Sequence, residues 1–191
     1  MARIALFAYG SLVAPASVAH TLGRRPVPVP VTLRRWRRRW SQVRDNLAVE
    51  KTFATVQGEM PRWILGLNLE PDDESGEAPN GALIEVTESE LERLDLRELR
   101  YDRVDVGAEV MADHEFDRVV TYSAKPAHFA PAPPPGGVIL ASYVRAVESA
   151  FTGLGDGQLD LFRCTTGPPP VAVVEATLVR DRIPAGNPRE W

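Results

Sequence analysis

The start of the chain constrains it most. Ile4-Ala5-Leu6-Phe7-Ala8 is an unbroken apolar run that stops at Tyr9-Gly10-Ser11-Leu12. A short apolar run ending at a glycine reads as a buried strand, and Ala14 to Leu22 reads as a helix. A strand, a tight turn and a helix start gather several backbone N–H groups at one point, where they can bind an anion. Gly10 has no Cβ, so a ligand can approach the main chain closely. The spaced glycines of a dinucleotide fingerprint and the Gly-Lys-Ser/Thr ending of a phosphate loop are both absent. Two readings therefore stand: a ligand-binding loop, and a strand–glycine–helix turn with a structural role alone.

The 191 residues suit one domain spanning the whole chain. A hydrophobic fraction of 44% is ordinary for a globule, and no apolar run approaches the roughly 18–20 residues of a membrane helix. Tyr9 and Gly10 interrupt the N-terminal apolar stretch, which breaks the plan of a signal peptide. The single cysteine, Cys164, excludes an internal disulfide and fits a reducing cytoplasm. A net charge of −4 argues against nucleic acid as a partner of the whole molecule.

One region departs from that average. Arg24 to Arg44 holds eight arginines and no acid, densest in Leu33-Arg-Arg-Trp-Arg-Arg-Arg-Trp40. A nucleic-acid or membrane-surface patch is one reading. A long, twisted strand is the preferred one, because Val27, Val29, Val31 and Leu33 alternate with Pro28, Pro30, Thr32 and Arg34. Pro28 and Pro30 place that strand at an edge, since proline cannot donate to a ladder.

Further strands are expected at Lys51–Val56, Trp63–Glu70, Gly81–Val86, Tyr101–Val106 and Arg118–Ser123, after a first strand at Arg3–Tyr9. Pro71–Pro79 reads as an exposed acidic loop, and Lys125–Gly137 as a proline-rich surface loop. Thr87-Glu88-Ser89-Glu90 is a capping-box signature that starts a helix running to about Glu98. Ile139–Phe151 reads as a helix and Gln158–Phe162 as a last turn. Val171–Val179 suits either strand or helix, and the tail beyond about Thr165 ends in an extended Ile183–Trp191.

Leu91 and Leu94 mark the buried stripe of the capped helix, and seven and four residues further both lead to Glu98. Burial raises a carboxyl pKa, which suits a general base or acid near neutrality. The alternative is that Glu98 turns to solvent or pairs with Arg97, Arg100 or Arg103. Ser11 lacks the Gly-x-Ser-x-Gly elbow of a nucleophile, and nothing nearby would activate Cys164. His20, His114 and His128 have no metal-site spacing, so no metal is expected.

Phe7-Ala8-Tyr9-Gly10-Ser11-Leu12, Leu94-Asp95-Leu96-Arg97-Glu98 and Tyr101-Asp102-Arg103-Val104-Asp105-Val106 together resemble the γ-glutamylcyclotransferase-like family, which includes AIG2-like and ChaC-like proteins. Leu33–Trp40, Gly81–Leu94 and Ala141–Gly155 are similar to its arginine-containing strand, its approach to the acid and its late helix. The resemblance implies an α+β fold, a small mixed β-barrel flanked by helices. It implies cyclisation of a γ-glutamyl amide or amine compound to 5-oxoproline and a free amine. Glu98 matches the catalytic acid; Tyr9, Gly10, Ser11 and Leu12 match the substrate loop; Tyr101 and Tyr143 match pocket tyrosines. No cofactor is implied, and the partner is a small γ-glutamyl molecule. An inactive small-molecule-binding or scaffold domain of the same fold is the other function considered.

Overall fold

The computed structural model describes residues 2–74 and 78–188. Its strands are β1 (Ile4–Ala8), β2 (Val29–Thr32), β3 (Trp36–Asp45), β4 (Lys51–Thr55), β5 (Trp63–Pro71), β6 (Asn80–Val86), β7 (Tyr101–Asp105), β8 (Arg118–Ala124), β9 (Ile139–Leu140), β10 (Val173–Val174) and β11 (Ala176–Asp181). Its α-helices are α1 (Pro15–Leu22), α2 (Glu88–Arg97), α3 (Ala141–Leu154) and α4 (Gln158–Cys164). The expected α+β class is what the chain adopts.

β1 is the middle strand of a five-stranded mixed sheet ordered β2-β6-β1-β8-β7. It runs antiparallel to β6 and parallel to β8. Every β1 residue is buried, so the strand needs an unbroken apolar run and not an alternating one. Gly81 on β6 lets this centre close: a Cβ there would collide with the Ala8 carbonyl and the Phe7 ring.

Prolines put β2 where expected, at the sheet edge. The arginine-rich stretch is nonetheless two strands and not one long strand. Arg35 adopts φ 63°, and the chain turns there before β3 begins. β3 pairs antiparallel with β5, β4 with β11 antiparallel, and β9 with β10 parallel.

The β3–β5 ribbon lies against the β7–β8 side of the sheet, and side chains stitch the seam. Ser123 Oγ of β8 donates to the Leu69 carbonyl at 2.8 Å, and Asn68 Oδ1 accepts the Ala124 N–H at 2.7 Å. Tyr101 Oη of β7 donates to the Leu67 carbonyl at 2.9 Å. Two of these bonds satisfy β5 carbonyls and the third a β8 N–H, so side chains join the five-stranded sheet to the β3–β5 pair along this seam.

One boundary differs from expectation, and one open choice is decided. Ile139 and Leu140 form β9 and not a first helical turn, because they pair with Val173 and Val174 and their own side chains are buried. Val171–Val179 resolves into strand, split as β10 and β11. Part of the expected acidic loop, residues 75–77, and the end of the tail, residues 189–191, lie outside the described residues.

Candidate functional site

The capping box forms as read. Glu90 N–H donates to Thr87 Oγ1 at 3.2 Å, and Thr87 N–H donates to Glu90 Oε2 at 2.8 Å. This fixes where α2 starts, and ten residues later the helix ends with Glu98 as its C-terminal cap. The Glu98 N–H donates to the Leu94 carbonyl at 2.7 Å, and the Glu98 carbonyl accepts from the Tyr101 N–H at 2.7 Å. The acid is thereby clamped between the helix end and the start of β7.

The Glu98 side chain is 19% exposed, and Arg97 Nε stands 3.3 Å from its Oε1. Both expectations for this residue thus hold together: it is largely buried, and it pairs with Arg97. Burial raises its carboxyl pKa, while Arg97 and Arg100 pull the other way and leave a net rise. Arg97 is itself anchored on α1, donating to the Ser17 carbonyl at 2.6 Å, to Thr21 Oγ1 at 3.0 Å and to Ser17 Oγ at 3.0 Å. Arg100 bonds Glu50 at 2.8 Å, but its buried Nε–H has no acceptor among the described residues.

The charge of the acid reaches four tyrosine hydroxyls. Burial raises the hydroxyl pKa of Tyr9, Tyr101, Tyr122 and Tyr143, and the Glu98 charge adds to each rise. All four therefore stay neutral phenols at physiological pH. Tyr9 Oη donates to the Tyr122 carbonyl at 2.7 Å, and Tyr122 Oη donates to Asp95 Oδ1 at 2.7 Å. Tyr143, on α3, brings its hydroxyl to within 3.3 Å of where a Gly10 Cβ would lie. The charge of Glu98 thus reaches Tyr9, Tyr101 and Tyr143, and the Tyr143 hydroxyl stands beside Gly10, although about ninety positions separate the acid from the turn.

The turn is a short 3-10 helix, Ser11–Val13, leading into α1. Val13 N–H donates to the Gly10 carbonyl at 3.0 Å, and Ala14 N–H to the Ser11 carbonyl at 3.3 Å. Among the described residues, no acceptor engages the N–H groups of Gly10, Ser11 or Leu12.

Arg38 holds the turn from behind. It is fully buried, and its guanidinium donates to the Tyr9 carbonyl, both Asn80 oxygens, the Phe162 carbonyl, Thr165 Oγ1 and Thr166 Oγ1. It also lies over the rings of Phe151 and Phe162, at 5.0 and 4.3 Å from their centroids. Desolvation lowers its pKa to about 9, which leaves it charged at neutral pH. In sequence this arginine belongs to the arginine-rich run that reads as a long, twisted strand. Its position between Trp36 and Trp40 on one strand face is the local signal of burial, whereas its bonding partners lie up to 128 positions away.

Two cavities lie nearby, and neither is lined by Glu98 or the Tyr9–Leu12 turn. One, of about 310 Å³, is bordered by Asn68, Glu70, Ser123 and Phe129. The other, of about 260 Å³, is bordered by Arg39, Trp40 and prolines of two loops. Among the described residues, no group of three or more His, Cys, Asp or Glu could hold a metal ion, and no helix is long and apolar enough to cross a membrane. Cys164 is exposed and unpaired.

Solved structures share this fold. A γ-glutamyl cyclotransferase is similar with a TM-score of 0.58 and 14% identity, over 91% of this chain and 94% of its own. YkqA from Bacillus subtilis is similar with a TM-score of 0.55 and 21% identity over 85% of this chain, which spans only 53% of the YkqA chain. A yeast γ-glutamyl cyclotransferase specific to glutathione gives a TM-score of 0.52 and 14% identity, over 87% of this chain and 98% of its own. No protein-family model matches the chain, and no curated protein matches it significantly. At these identities the likeness is one of architecture, and the chain has the fold of the γ-glutamyl cyclotransferases.

Proposed function

We propose that the protein cyclises a γ-glutamyl amide or amine compound, releasing 5-oxoproline and the free amine. The observation that carries this reading is the placement of Glu98. It is a clamped, largely buried carboxyl with a raised pKa, whose charge reaches Tyr9 and Tyr143, and the Tyr143 hydroxyl in turn stands beside Gly10 of the turn with free amides.

The substrate's α-amine attacks its own γ-carbonyl. The C–N bond of the five-membered ring forms, and the bond to the departing amine breaks. The attack is intramolecular, so the protein's main task is to hold the γ-glutamyl half in a ring-closing shape. Glu98 as carboxylate takes the proton that the attacking nitrogen loses, then returns it to the leaving nitrogen. The amides of Gly10, Ser11 and Leu12 are donors suited to the developing oxyanion or to the substrate's α-carboxylate. The unpartnered Arg100 Nε–H is a further donor for that carboxylate. Tyr101 and Tyr143 wall the γ-glutamyl half, with Tyr143 pressed against Gly10.

The Arg97–Glu98 pair favours a second reading. A carboxylate held by a cation at 3.3 Å also suits a domain that binds a γ-glutamyl group without turning it over. Incubating the protein with γ-glutamyl amino acids and assaying 5-oxoproline separates the two. Release that Glu98→Gln removes supports cyclisation, whereas binding without release supports the inactive domain.

A further inference from the structure

The cavity of about 260 Å³ has an unusual wall. Ala130, Pro131 and Pro133 come from one loop, and Gly167, Pro168 and Pro170 from another, while Trp40 and Arg39 of β3 complete the lining. Proline has no N–H, so these loops offer rigid apolar rings and few donors. The Trp40 indole N–H donates to the Gly167 carbonyl at 3.1 Å, which leaves its ring as apolar wall. At about 30 Å³ per water, the volume corresponds to roughly nine waters, enough for a small organic group.

Arg39 is the charged group on this wall. Its side chain is 41% exposed, and its contacts to Glu70 Oε2 and the Pro131 carbonyl are both long, at 3.4 Å. Glu70 is held more closely by others, with Arg37 on Oε2 at 2.9 Å and Ser41 Oγ on Oε1 at 2.5 Å. The Arg39 fork can therefore turn to an incoming carboxylate at little cost. The cavity also adjoins the site already described. The Trp40 ring meets Tyr143 edge-on, centroids 6.1 Å apart, and the Tyr143 hydroxyl fills the space beside Gly10, 3.3 Å from where a Cβ there would lie.

We propose that this cavity receives the amine half of the substrate and selects a bulky apolar amino acid whose carboxylate pairs with Arg39. The inference rests on the cyclisation reading for the γ-glutamyl half. Its chemistry is that of most ligand pockets, an apolar body fixed by one well-placed charge.

Three probes test it: γ-glutamyl-L-phenylalanine, γ-glutamylglycine and γ-glutamyl-2-phenylethylamine. The wild-type protein is expected to prefer the first over each of the others by about tenfold or more in kcat/KM, since one loses the apolar body and the other the carboxylate. Arg39→Met brings the phenylalanine-to-phenylethylamine ratio close to one, and Arg39→Lys restores part of it. The wild-type comparison needs no variant and decides alone if Arg39→Met fails to fold. Calorimetric titration of the same probes into Glu98→Gln protein reads the same preference without turnover. Turnover without preference among the probes overturns the cavity assignment and leaves cyclisation standing. Arg39-dependent binding of the phenylalanine compound without 5-oxoproline release supports the cavity and overturns cyclisation. Neither binding nor release overturns both.

Discussion

The Tyr143 hydroxyl occupies the space beside Gly10, 3.3 Å from where a Cβ on that glycine would sit. This contact joins α3 to the turn that follows β1, and it gives Gly10 a role in packing as well as a proposed one in binding. Gly10→Ala should displace that hydroxyl by a few tenths of an ångström. The expected stability cost is about 1 kcal/mol, at the low end for overpacking, because a side-chain tip can shift. Activity should fall by tenfold or more, since small misplacements of a positioning group cost rate steeply. Thermal unfolding and kcat/KM measured on the same variant check both.

The raised Glu98 pKa sets a pH dependence. The carboxylate form is the base, so kcat/KM should rise with pH through a midpoint above the ordinary carboxylate value of 4.5. Arg97 favours the charged form, so Arg97→Gln should move that midpoint to higher pH. The sign for stability follows the same shift. The folded protein binds this proton more tightly than the unfolded chain, so stability from this group is full below its ordinary value and is lost as pH rises through the raised one. Glu98→Gln should remove that dependence, measured as denaturation midpoints across the window.

Arg38 should matter to the fold more than any other arginine in its strand. Arg38→Met strands the carbonyls of Tyr9, Asn80 and Phe162 without their donor. A loss of at least about 3 kcal/mol is expected from urea denaturation, because buried acceptors left unmade cost more than the net value of each bond. An unchanged midpoint would contradict the holding role given to this side chain.

Much of this architecture was legible because the physics is local. The β1 run is apolar on both faces since it is a central strand, the Thr87–Glu90 box states where α2 begins, and Pro28 and Pro30 mark an edge. From the box, helical spacing led to Glu98, and the fold does hold that side chain largely buried. What stayed hidden depends on distant partners. Nothing near Arg38 in sequence shows what its guanidinium bonds, since Asn80, Phe162 and Thr166 come from distant segments. Ile139 and Leu140 fit a helical stripe as well as a strand, and the pairing with β10 decides between them. Arg97 was visible only as a neighbour of the acid, because its anchors on Ser17 and Thr21 come from α1.

The most direct measurement is 5-oxoproline release from a panel of γ-glutamyl amino acids by wild-type protein and Glu98→Gln, with unfolding midpoints recorded for both. The account predicts release by the wild type and a fall of about 10²-fold or more in a variant that remains folded. Undiminished release by folded Glu98→Gln would contradict it.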